Sequence, residues 1–172
     1  MSPIETPDPW PAGHNPAPPV RPVRLLIVID GSERTGRIMD LALDLTRKGL
    51  VIEAILLGVI AEPPDGRLRG YGSFKRKEVH ARLHDLMGTR AVSAAARRLD
   101  RAGIVHQERL EVGDPARTIL RIADEEACDL VLVADARAGT FRRRLPEAIG
   151  LMVATVASRV AQLASVPVIV VK

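Results

Sequence analysis

Five short aliphatic runs punctuate this sequence, and helix-length stretches separate them. The first, Val23 to Ile29, is continuous, rich in branched side chains, and stops at Asp30-Gly31-Ser32. A run of this kind fits a strand buried on both faces, the usual condition in a parallel sheet. Val51–Ile60, Leu130–Ala134 and Val168–Val171 repeat the pattern. Ile104–Val112 is more polar, with Gln107, Arg109 and Glu111 among Val105, Leu110 and Val112, and reads as a strand at or near a sheet edge.

Helical signals fill the gaps. Gly36–Lys48 carries Ile38, Leu41, Ala42 and Leu45 on one face and ends in Arg47-Lys48-Gly49, cations at the negative helix end followed by a glycine stop. Glu78–Ala102 has a stripe through Leu83, Met87, Ala91, Ala95 and Leu99, closed by Gly103. Asp114 and Pro115 form an N-cap and first-turn pair for a helix bearing Ala116, Ile119, Leu120, Ala123 and Ala127. The clearest helical period runs through Ile149, Met152, Val153, Val156, Val160, Leu163 and Ala164, with Pro167 beyond it. Strand and helix thus alternate throughout. Short right-handed crossovers then give an α/β fold: a five-stranded, parallel, doubly wound sheet of the Rossmann-like or flavodoxin-like kind, with helices on both faces.

Composition narrows the function classes. Aromatics are only 2% of the chain while apolar residues reach 47%, so the core is aliphatic. The net charge is +4, but 25 Lys and Arg face 21 Asp and Glu, and aromatics scarcely accompany the basic runs. That disfavours a nucleic-acid binder, which concentrates its cations on one face beside a recognisable motif. Cys128 is the sole cysteine, so no internal disulfide calls for an oxidising compartment, and it reads as a buried structural thiol. Neither a membrane-length apolar run nor a secretory signal is visible, which makes the cytoplasm the expected location. Residues 1–22 contain eight prolines and read as a disordered or polyproline-like arm carrying Trp10; the folded domain is expected over 23–172.

In an open α/β sheet, ligands sit in the crevice beyond the carboxyl ends of the strands. Asp30, closing the first strand, is the leading site residue, its plain alternative being a turn-former for Gly31. The loop after Ala134 is the second element, and its Arg142, Arg143 and Arg144 suit an anion. Arg67, Arg69 and Lys75-Arg76-Lys77 form another basic loop, read chiefly as a solubilising segment. His80 and His84 have metal-like spacing but no third ligand, and are read as solvated. No metal site is expected. A Ser-His-Asp set, a Cys-x-x-Cys pair and a P-loop are all missing from the sequence, and the acidic pair of a receiver domain is not present after strand one.

Val28-Ile29-Asp30-Gly31-Ser32, Gly113-Asp114-Pro115-Ala116, Cys128-Asp129-Leu130-Val131-Leu132-Val133 and Val166-Pro167-Val168-Ile169-Val170-Val171, in this order, resemble the universal stress protein family. The resemblance implies strand order 3-2-1-4-5, a homodimer often paired through the last strand (Val168, Ile169, Val170, Val171), and, in many members, bound ATP. It implies that Asp30 and Gly31 meet the adenosine part and that the end of strand two, at Val59, borders the base. It further implies that a motif after strand four holds the phosphates. That motif is Gly, two residues, Gly, nine residues, then Gly and Ser or Thr; its glycines let backbone N–H groups approach oxygens at a helix N-terminus.

Here Asp135 and Ala138 stand where the first two glycines belong, and Ala154-Thr155 at the closing pair, followed by Val156. The interval is about six residues longer than the family's, and Asp135 adds a repelling carboxylate. Gly139 and Gly150 offer a second register, with Arg137, Arg142 and Arg143 as further phosphate contacts, but Leu151 follows Gly150 and supplies no hydroxyl. Three readings follow. The first is a cytosolic, stress-response regulatory dimer with nucleotide binding lost or altered, and no catalytic residue. The second is a member that binds ATP, with Mg²⁺ only where ATP binds, and at most slow hydrolysis. The third is a module that takes an anionic partner through its basic loops.

Overall fold

The computed structural model describes residues 21–61, 89–135 and 155–172. Their elements are β1 (Val23–Ile29), α1 (Glu33–Arg47), β2 (Ile52–Ala61), α2 (Thr89–Arg101), β3 (Val105–Gly113), α3 (Pro115–Glu125), β4 (Leu130–Ala134), α4 (Val156–Leu163) and β5 (Val168–Val171). The five strands form one sheet in the order β3-β2-β1-β4-β5, with every neighbouring pair parallel. Fold class and strand order are therefore those expected.

Alternation along the strands sorts the core into two layers. Leu25, Ile27, Ile29, Ala54, Leu56 and Leu132 face α1 and α2, where Ile38, Met39, Ala42, Val92, Ala95 and Leu99 complete a buried cluster. Leu26, Val28, Ile55, Leu57, Val131 and Val133 face α3 and α4, and meet Ala116, Ile119, Ile122, Ala157 and Val160. Both faces are thus covered, which accounts for the near-unbroken apolar reading of β1 and β4. Cys128 is buried in the second layer, and burial pushes its thiol up to about 11, as befits an inert thiol.

Three sequence-based expectations change. Helix α1 begins at Glu33, not Gly36, because the Ser32 side chain caps it by accepting from the Arg34 N–H. Along β3, Val105 is 69% exposed and lies on the opposite face from Leu110, so its apolar residues do not share one side. Thr155 has an extended backbone and caps α4, so the helical period starting at Ile149 does not run through as one helix. Leu163, placed on that stripe, is 64% exposed at the end of α4. The part of the long helix expected over 78–88 lies outside the described residues, as does most of the proline-rich arm.

The foot of the sheet is tied together. Asp129 pairs with Arg21 and accepts from the Arg24 N–H at 2.8 Å, while the Arg24 guanidinium reaches the Glu126 carbonyl and Glu53. The Val23 N–H donates to the Val51 carbonyl at 2.8 Å, which ties the start of β1 to the start of β2. No helix among the described residues is long and apolar enough to cross a membrane.

Candidate functional site

Asp30 leaves β1 at the carboxyl end of the sheet, and the next five residues close on it. Its Oδ1 accepts from the Ser32 N–H (2.9 Å), the Ser32 hydroxyl (2.7 Å) and the Thr35 hydroxyl (2.8 Å). The turn requires Gly31 at φ +71, a left-handed conformation that side chains disfavour. Partial burial alone would raise the pKa of Asp30; the Ser32 and Thr35 hydrogen bonds outweigh it and hold the carboxyl below its usual range. Asp30 is therefore an anion at neutral pH. All three of these bonds fall on Oδ1, and among the described residues none is made to Oδ2.

Register builds the space beside it. Pairing of β1 with β2 ends at Ile29 and Gly58, whereas β2 stays paired with β3 as far as Ala61 and Gly113. Val59, Ile60 and Ala61 consequently overhang β1, and one side of their backbone has no β1 partner. A cavity of about 160 Å³ lies here, lined by Ile29, Asp30, Gly31, Gly58, Val59, Ile60 and Ala91. Small residues make its room: a Cβ on Gly58 would come within 2.7 Å of Leu110 Cδ2 and 3.0 Å of Val92 Cγ2. Apolar walls, an open backbone strip and one anionic acceptor suit a flat heterocycle joined to a hydroxyl-bearing group.

The other half of the expected site is different. The Asp135 N–H donates to the Val171 carbonyl at 2.8 Å, extending the β4–β5 ladder, so it is not a free donor for an anion. Thr155 Oγ1 accepts from the Ser158 N–H at 3.1 Å and lies 3.3 Å from the Ser158 hydroxyl; its oxygen is spent on the helix cap. Val156 is half-buried against the second core layer. The structure thus brings Asp30, Gly31 and Val59 around one cavity and puts Thr155 and Val156 at the start of α4. Arg137, Gly139, Arg142, Arg143 and Ala154 lie outside the described residues, together with Ala138, Arg144 and Gly150.

Several contributors escaped the sequence reading. Ser32 and Thr35 order the Asp30 carboxylate, and a hydroxyl two and five residues after an aspartate was the available signal. Gly58 and Ala91 gave none, because their contribution depends on packing between α2 and β2. Asp114 is more than the expected helix cap: its Oδ1 accepts from the Arg117 N–H at 2.9 Å, and its Oδ2 also accepts from Arg159 Nη1 of α4 at 3.3 Å.

A larger groove of about 450 Å³ lies between α1 and α2, lined by Leu43, Thr46, Arg47, Arg98, Arg101 and Ala102. Arg47 pairs with Asp44 and Arg98 with Asp40, and Arg47 and Arg101 are the last residues of their helices. These arginines offset negative helix ends and lie away from the crevice. Among the described residues no group of three His, Cys, Asp or Glu could hold a metal ion, and His80 and His84 lie outside them.

A family model described as the Universal stress protein family matches residues 23–172. No curated protein sequence matches the chain. Among solved structures, universal stress protein UspA from Lactobacillus plantarum is similar at 19% identity and TM-score 0.65, over 88% of this chain and 99% of that one. A universal stress protein in complex with cAMP is similar at 20% identity and TM-score 0.59, over 87% and 97%. A universal stress protein from Archaeoglobus fulgidus in complex with dAMP follows at 20% identity and TM-score 0.50, over 89% and 99%. With the fold and strand order in hand, the match over residues 23–172 settles kinship: the chain belongs to the universal stress protein family.

Proposed function

We propose that this protein is a regulatory, adenine-nucleotide-binding module whose nucleoside half is retained and whose phosphate half is altered. One observation carries the reading: beside the small cavity at the overhanging end of β2, no described residue donates to Oδ2 of Asp30. A ribose hydroxyl would donate to that oxygen, and the backbone of Val59 and Ile60 would border the base. The cAMP and dAMP complexes among its structural neighbours support a nucleotide of this class. The carboxylate of Asp30 repels phosphate, so the anionic end is directed away from it, toward α4.

Residues that would cradle a triphosphate are changed. The N–H of Asp135 is bonded to Val171, and Ala138 and Ala154 replace glycines. A nucleoside monophosphate therefore suits the site better than ATP. Binding of ATP with Mg²⁺, and slow turnover, is the second reading; Thr155 at the head of α4 and Arg142–Arg144 in the preceding loop favour it. The module is further proposed to act in the cytosol as a homodimer through β5, signalling stress by its bound state to a protein partner.

Isothermal titration of AMP and ATP against the full chain and its Asp30→Ala variant tests the reading. Loss of a hydrogen bond to a charged group should weaken AMP by about tenfold or more in the variant. Equal affinities in the two proteins, or no AMP binding to either, would overturn it.

A further inference from the structure

Helices α3 and α4 begin close together on one face of the sheet, and neither has an acidic residue in its first turn. Each N-terminus carries partial positive charge from unpaired N–H groups. Arg159 adds a full charge one turn into α4, its N–H donating to the Thr155 carbonyl at 3.0 Å. A cation at that end of a helix opposes the dipole and needs a counter-charge. Among the described residues that charge is Asp114, the cap of α3, whose Oδ2 meets Arg159 Nη1 at 3.3 Å. One carboxylate thus serves the end of α3 and a guanidinium from α4, with the Arg117 side chain adding charge beside it.

Division of labour within that carboxylate matters. Oδ1 caps α3 through the Arg117 N–H, and only Oδ2 engages Arg159. The guanidinium can leave without uncapping α3. Both partners are about 40% exposed, so the pair is weakly held and open to exchange with a better anion. Arg159 lies one turn along α4 from Thr155, the residue that stands at the closing position of the family's phosphate motif.

We propose that Arg159 is an anion-binding residue held in reserve by Asp114: without ligand it pairs with Asp114, and on binding it turns to the phosphate of the nucleotide. This rests on the nucleotide reading above and names the group that compensates for the altered phosphate half. Arginine suits the role, since its guanidinium can hold two phosphate oxygens at once. Asp114 is then a positioning residue that competes with the ligand, so removing its charge should strengthen binding.

The test titrates adenosine and AMP against the full-length protein and its Asp114→Asn, Arg159→Ala and Arg159→Lys variants. Asparagine caps helices as well as aspartate does, so Asp114→Asn should stay folded; thermal melting confirms this for each variant. If Asp114 competes with the ligand, its replacement tests that directly: AMP affinity should rise about threefold in Asp114→Asn, the scale of an exposed ion pair. It should fall about tenfold in Arg159→Ala, the scale of a charge-assisted hydrogen bond, with part recovered in Arg159→Lys. Adenosine, lacking phosphate, should bind all four proteins alike. Weaker AMP binding in Asp114→Asn, or equal changes for adenosine and AMP, would overturn the proposal while leaving the nucleotide reading intact. Failure of the unmodified protein to bind either ligand would overturn both.

Discussion

Two aspartates at the carboxyl end of the sheet are held ionised by different means. Asp30 is partly buried, which opposes its charge, but the Ser32 and Thr35 hydrogen bonds prevail. Asp114 is exposed and lowered first by the Arg117 N–H, with Arg159 adding to it. A carboxyl whose folded pKa lies below its unfolded value stabilises the fold above the unfolded value, about 4, and loses that contribution as pH falls through the folded one. Asp30→Asn should therefore flatten the acid limb: between pH 5 and pH 3 the unmodified protein loses more stability in urea unfolding than the variant does. Identical slopes would contradict the assigned network. The sequence made Asp30 conspicuous because it ends an unbroken apolar strand, whereas the hydroxyls that order it sit in a polar first turn. Periodicity says nothing about such a turn.

Among the elements, caps and register decide most of what the hydrophobic pattern missed. Ser32 starts α1 three residues before Gly36, and removing its oxygen should cost about 1 kcal/mol, typical of an N-cap. For a domain of this size Ser32→Ala should lower the melting temperature by about 2–4 °C; an unchanged value would remove Ser32 from the cap. Gly58 is tighter. A methyl there meets the end of Leu110, which can rotate, and the stiff Val92, which cannot. Gly58→Ala should destabilise by about 1–3 kcal/mol, as overpacking does, and weaken AMP binding because the cavity narrows. Full AMP affinity in a folded Gly58→Ala protein would show that the ligand does not use this cavity. At α4 the stripe from Ile149 was legible as helical character, yet a stripe cannot report the extended Thr155 that begins the helix anew. Val105 shows the converse: a β-branched residue in a strand pattern, left 69% exposed because β3 is an edge.

The fold was legible in its alternation of runs, since five strands with intervening helices admit few arrangements. Strand order came from family resemblance, and the cavity from neither, because it exists only where β2 outruns β1 by Val59, Ile60 and Ala61. Assembly belongs to this scale. Among the described residues β5 pairs with β4 alone, through the carbonyls of Pro167 and Val171, so the backbone of Val168 and Val170 faces the open edge. An apolar open edge favours pairing with a second copy. Val170→Pro removes an outward N–H without touching the β4 ladder, and should convert a dimer into a monomer in analytical ultracentrifugation at micromolar concentration. A monomeric unmodified protein would refute this assembly.

The central claim is that a nucleoside is held at the overhanging end of β2 beside Asp30. Amide chemical-shift mapping by NMR, with AMP titrated into the isotope-labelled protein, tests it most directly. The largest shifts are expected at Gly31, Gly58, Val59, Ile60 and Ala91, in the lining of the cavity. Shifts centred on Thr46, Arg47, Arg98 and Arg101, or no shifts at saturating AMP, would contradict it.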